Sequence, residues 1–152
     1  MWDFSLLLLG QNAHPTLICG DAMSLLFPDE SFEATFEANV LQHVTEREGV
    51  IREMARTSRR YVILLELNRY NPLMFALSIV VRAERGGLKS SMSRLRQEAQ
   101  CCGLRVVASL TTGIISQNNT PALLVPILKR FDRRVWWGEY HVIIAEKTQN
   151  GY

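Results

Sequence analysis

Short apolar runs alternate with amphipathic stretches along this chain. Thr16–Cys19 is a brief buried-type run that ends at Gly20-Asp21, and Pro28-Asp29-Glu30-Ser31 breaks the chain after Leu25-Leu26. Phe32, Ala34 and Phe36 then alternate with polar neighbours, which predicts a strand over Phe32–Ala38. Tyr61–Leu67 reads YVILLEL, a continuous apolar run with β-branched Val62 and Ile63, as a parallel strand covered on both faces requires. Arg105–Leu110 and Tyr140–Ala145 complete a set of five predicted strands.

Helices fall between these runs. Ser5–Gln11 reads as a short helix capped by Ser5. Thr45 opens a second helix, where Thr45 and Glu48 have capping-box spacing. Val50, Ile51, Met54 and Ala55 form its apolar face, and Glu48 and Arg52 pair at i,i+4 on the wet side. Ser93–Cys102 is predicted as a third, with Leu95, Ala99 and Cys102 on one face and Gly103 at the C′ position. Strand–helix alternation gives an α/β sandwich, and the longer irregular span before the last strand permits antiparallel pairing there. Neither a repeat nor a linker divides the sequence, so residues 1–152 read as one domain. Two connections, 68–90 and 113–139, are too long and apolar for simple turns. They either build a binding site at the carboxyl ends of the strands or pack against the sheet edge.

The 152 residues suffice for a single core, and 47% hydrophobic with 21% charged content is ordinary for a globular domain. A net charge of +2 carries no argument for nucleic acid. Lys129 to Arg134 with Trp136-Trp137 mixes bases and aromatics as single-strand binders do, but such clusters are more often solvated loops, so no nucleic-acid partner is expected. Cys19, Cys101 and Cys102 make no CxxC pair and read as core thiols of a reducing compartment, which argues against structural zinc. Leu6–Leu9 is too short for a signal sequence and Pro72–Val81 too short for a membrane span. The expectation is a cytoplasmic protein.

The string GDAMSLLFPDESFEATFEANVLQHV, Gly20 to Val44, resembles the class I S-adenosylmethionine-dependent methyltransferases, closest to their small-molecule, type 11-like branch. There a GDA motif leads through an acidic turn into a strand that ends in a leucine–histidine–valine pattern, here Leu41-Gln42-His43-Val44. Arg52 to Arg56 looks like the family's helix before its fifth strand, and Tyr61 to Asn68 like that strand and its asparagine exit. The resemblance implies a three-layer Rossmann-like sheet and S-adenosylmethionine as cofactor.

It also implies roles for particular residues. Asp21 stands where the family's acid accepts a hydrogen bond from the adenine amino group, with the Ala22 backbone against the ring; the alternative is that Asp21 merely caps its turn. Asp3, in Trp2-Asp3-Phe4-Ser5, stands where an acid binds both ribose hydroxyls, or is an acid favoured near a helix start. Asn39 stands where the chain lines the methyl-donor sulfonium. His43 is either a general base or a structural histidine at a helix start.

The family's glycine-rich turn has no counterpart among the nine glycines, so the resemblance implies a sheet lacking its first strand and most of its second, truncated before that motif. Unpaired sheet edges would then invite pairing with another chain. The expected function is in-line methyl transfer to a small apolar acceptor, with orientation and desolvation as the protein's contribution. The alternative is a non-catalytic remnant that serves as a binding or assembly partner.

Overall fold

The computed structural model describes residues 18, 20–72, 75, 76, 79, 88–113 and 135–148. In chain order these form β1 (Phe32–Ala38), a 3-10 turn (Leu41–His43), α1 (Arg47–Thr57), β2 (Ser58–Leu67), α2 (Met92–Cys101), β3 (Leu104–Thr112) and β4 (Tyr140–Lys147). Four of the five expected strands are therefore present, β1 with its expected bounds and the other three lengthened; the expected helix Ser5–Gln11 and all of Thr16–Cys19 except Ile18 lie outside the described residues.

The described strands form one sheet in the order β1-β2-β4-β3. β1 and β2 are parallel, joined by a crossover through α1, while β4 lies antiparallel between β2 and β3. The mixed α/β architecture is thus the expected Rossmann-like one, with the antiparallel strand where the long span before Tyr140 allows it. The carboxyl ends of β1, β2 and β3 and the start of β4 share one rim.

α1 runs straight into β2. Its end is set locally: the Thr57 hydroxyl donates to the Glu53 carbonyl (2.9 Å) and Ser58 is already extended, at φ −88°. Its start differs from expectation. Glu46, not Thr45, is the cap residue, and it makes no side-chain cap bond. Glu48 is drawn outward to Arg52 (2.8 Å), so its carboxylate is not spent on a reciprocal box. α2 begins at Met92, with the Ser91 hydroxyl accepting from the Arg94 amide (3.3 Å), and ends as expected before Gly103, whose φ of +77° suits glycine.

Both helices pack on one face of the sheet. Val50, Ile51, Met54, Ala55, Leu95 and Ala99 meet Val62, Leu64, Ile143 and Ala145 in a dry core. Alternation places Tyr61, Ile63 and Leu65 on the opposite face, where they are only half-buried, so β2 is sealed on one side rather than two. β1 inverts the usual pattern more sharply. Phe36 is 61% exposed and Glu37 only 6%. Its apolar positions face outward, and its carboxylate faces in.

Candidate functional site

The loop before β1 carries Asp21 and Ala22, and α1 fastens it from behind. Arg56 donates to the carbonyls of Leu25 (3.0 Å) and Phe27 (2.9 Å), to Asp29 (2.7 Å) and to both oxygens of Glu53 (2.9 Å each). Glu53 in turn accepts from the Leu25 amide (2.9 Å), and the Arg56 hydrogen bond holds its carboxyl below the usual range. Phe27 stacks edge-on against Phe32, with centroids 4.8 Å apart. Asp21 itself is exposed and caps its own turn: Oδ1 accepts from the Met23 amide (2.8 Å) and its carbonyl from the Ser24 amide (3.0 Å). A carboxylate that takes one amide keeps further acceptor capacity.

Ala22 belongs to the wall of an apolar groove of about 390 Å³ that follows the free edge of β1, lined also by Leu25, Phe27, Phe36, Ala38 and Val40. Asn39 sits between Ala38 and Val40 at φ +59°, a left-handed conformation that asparagine tolerates better than most residues. Its amide donates to the Leu65 carbonyl (2.8 Å). Its Oδ1 is buried without a hydrogen-bond partner, while its side chain bonds the Tyr140 hydroxyl. Burial, then the charge of Glu139, raises the Tyr140 pKa above its ordinary value. His43 ends the 3-10 turn, exposed, with Nε2 3.1 Å from the Gln42 amide nitrogen. It does not line the groove. Asp3 lies outside the described residues. Of the expected site residues, Ala22 lines the groove, Asp21 precedes it in the chain, Asn39 lies between the lining residues Ala38 and Val40 without lining it, and His43 lies outside its lining.

The sequence reading missed a buried polar chain behind this rim. Glu37 accepts from the amides of Val40 (3.0 Å) and Leu65 (3.1 Å). Glu66, fully buried, accepts from the Leu41 amide (2.9 Å) and the Ser90 hydroxyl (3.0 Å). Ser90 accepts from Arg47 (3.1 Å), which pairs with Glu98 (3.0 Å). Glu37 and Glu66 also hydrogen-bond each other. Burial first, then the charge of Glu66, pushes Glu37 up to about 8; burial also raises Glu66, opposed by Arg47 and Ser90. Across the sheet Glu66 faces His141, whose Nδ1 lies 3.0 Å from the Thr111 hydroxyl and whose Nε2 is buried without a partner. Burial depresses His141 to about 4. The available signal was Glu66 itself, an acid two residues beyond Leu64 inside a run read as apolar throughout.

The two long connections meet at the same rim through their described ends. Asn68, fully buried, donates to the carbonyls of Trp136 (2.9 Å) and Gly138 (2.7 Å), and Asn71 donates to that of Trp137 (3.0 Å). Gly138 lies so close to Thr112 that an added Cβ would stand 2.8 Å from its carbonyl oxygen, which fits only glycine. Among the described residues no group of three or more His, Cys, Asp or Glu could hold a metal, and no helix is long and apolar enough to cross a membrane.

A family described as a methyltransferase domain matches residues 5–65. No curated protein matches the sequence. Among solved structures, the chain resembles an S-adenosylmethionine-dependent methyltransferase of Thermotoga maritima, described as a possible histamine N-methyltransferase, at 17% identity and TM-score 0.67, covering 85% of this chain and 62% of that one. A second such enzyme, from Archaeoglobus fulgidus, is 13% identical with TM-score 0.59 and coverages of 86% and 66%. Phosphoethanolamine N-methyltransferase 2 of Haemonchus contortus, in complex with S-adenosylmethionine, is 14% identical with TM-score 0.55 and coverages of 85% and 36%. This chain thus spans less than two thirds of the length of these structures. The matched stretch is confined to residues 5–65, and what the chain shares with these structures is their α/β fold.

Proposed function

From the matched stretch and the shared fold, we propose that this chain takes part in S-adenosylmethionine-dependent methyl transfer to a small, apolar acceptor in the cytoplasm. The observation that carries the reading is the apolar groove along β1, with Ala22 of the Asp21 turn in its wall and Asn39 set in the chain between the lining residues Ala38 and Val40. Asp21 would accept the adenine amino group, the Ala22 backbone would lie against the ring, Asp3 would take the ribose hydroxyls, and Asn39 would line the methyl-bearing end. The cofactor supplies the activated methyl group and its own leaving group. The protein's share is to orient the acceptor and exclude water, which the apolar groove and the clamped ends of 68–90 and 113–139 support. His43, exposed beside the groove, would accept a proton from acceptors that lose one.

Calorimetric titration with S-adenosylhomocysteine tests this. Asp21→Asn keeps an oxygen for the Met23 amide but replaces the second oxygen with a donor, so affinity should fall about tenfold or more. Unchanged affinity would remove Asp21 from the site.

One observation favours a second reading. Phe32 and Phe36 stand 39% and 61% exposed on β1, which has an unpaired edge among the described residues. A non-catalytic remnant that pairs with another chain would use that edge. Such a protein would associate in sedimentation without binding the cofactor at all.

A further inference from the structure

Two strand tips grip the same turn. Glu37, at the end of β1, accepts from the Val40 amide, and Glu66, at the end of β2, accepts from the amide of the next residue, Leu41. The two carboxyls also bond each other. Asn39 is the residue just before this double grip, and the 3-10 turn that ends at His43 begins within it.

The charges around the pair come from every element packed against it. α1 contributes Arg47, which donates to Ser90 and pairs with Glu98; α2 contributes Glu98, which Arg94 also meets (2.8 Å). β4 contributes His141, held neutral by burial. Two guanidiniums thus stand against Glu66 and Glu98, and no further cation is bonded to Glu37 among the described residues. A second anion here would be buried and uncompensated.

We propose that Glu37 and Glu66 are positioning residues, a carboxyl–carboxylate pair sharing one proton that holds Asn39 and the following turn in register and slackens when the proton leaves. The proposal rests on the reading of that turn as a wall of the cofactor groove. The proton sits on Glu37 and is donated to Glu66, so both outer oxygens still face the turn and its neighbours. Its loss puts two anions side by side, and the least costly relief is for the carboxyls to part, taking the Val40 or Leu41 amide bond with them. Glu37 is held near pH 8, so the change falls in the mildly alkaline range.

The experiment is a pH titration of the full 152-residue chain, with carbon-13 NMR of the glutamate carboxyls and hydrogen exchange of the Val40 and Leu41 amides. One carboxyl of the pair should stay protonated at pH 7 and titrate in the alkaline range. Protection of Val40 and Leu41 should fall about tenfold from pH 7 to 9 beyond the intrinsic base-catalysed rise, while Val62 and Ile143 stay level. Glu37→Gln, which keeps a neutral donor toward Glu66, should hold protection constant, and Glu66→Gln should bring the Glu37 pKa down from about 8 while burial still holds it above the ordinary carboxylate range. Two ionised carboxyls at pH 6, or turn amides no more pH-sensitive than those of the core, overturn the proposal. S-adenosylhomocysteine titration in parallel separates the two readings: affinity that weakens from pH 7 to 9 in the parent but not in Glu37→Gln supports both. Failure to bind at any pH sinks the cofactor reading alone, since the carboxyl and amide signals decide the pair without it.

Discussion

The two sides of β1 differ in kind. Toward the helices, Glu37 is buried in a chain of hydrogen bonds that runs through Glu66, Ser90 and Arg47 to Glu98. Toward the groove, Phe36 and Ala38 are exposed. A strand selected only for stability would do the reverse, because burying Phe36 stabilises and burying a charge costs unless it is fully paired. The inversion therefore marks β1 as the strand where other demands outweigh packing. Its inner side bonds the turn that follows through Glu37 and Val40, and its outer side leaves Phe32 and Phe36 largely in water.

Removing Arg47 should break the inner side outright. Arg47→Ala leaves Glu98 and Glu66 without their central cation, and a loss of about 3–5 kcal/mol in urea unfolding is expected. Arg94, exposed on α2, cannot replace it from outside.

A smaller effect comes from pH, and it has two limbs. Glu37 has a folded pKa raised above its unfolded value, so its stabilising contribution is complete below about pH 4.5 and is lost as pH rises toward about 8. His141 has a lowered folded pKa, so its contribution is present above pH 6.5 and is lost as pH falls toward about 4. Each group changes stability by at most about 1.4 kcal/mol per pH unit. Glu37→Gln should remove the decline between about pH 4.5 and 8 and leave the His141 acid limb in place, measured as urea midpoints between pH 4 and 9.

The smallest effect on folding should come from the outer side. Phe36→Glu is expected to change stability by no more than about 0.5 kcal/mol, since the ring is already largely in water. Any self-association seen by sedimentation velocity should be abolished with it. If the variant unfolds readily, the ring is packed and the contrast between the two sides disappears.

Much of the fold was legible because periodicity reports burial. Phe32–Ala38 was found with its bounds intact, and the strand cores of β2, β3 and β4 were found with their ends short by one to three residues. Strand ends are set by register, which hydropathy does not encode: Ser58 belongs to β2 only because it pairs with Phe32. Which side of β1 faced the core was not legible, since alternation gives a period and no direction. The same ambiguity hid Glu37. The exit at Asn39 could be located because Ala38-Asn39 sits where β1 stops, and the acidic turn because Gly20-Asp21 follows an apolar run in the sequence. The Arg47–Ser90–Glu66 connection could not, because its members are 19 to 43 residues apart and meet only through the tertiary fold.

Asn68 has a further consequence, for how such a protein can change over generations. Its three hydrogen bonds to the 136–139 stretch, with the Glu139 carbonyl accepting from its own amide (2.7 Å), close the bases of both long connections before either departs. Chain inserted or exchanged beyond that closure meets the sheet through the same few anchored residues. Lengthening such a segment twofold costs only about 0.6 kcal/mol of closure entropy. New loop sequence can therefore be tried by duplication, deletion or recombination without renegotiating a single strand register, so Asn68 separates what is free to evolve from what must stay.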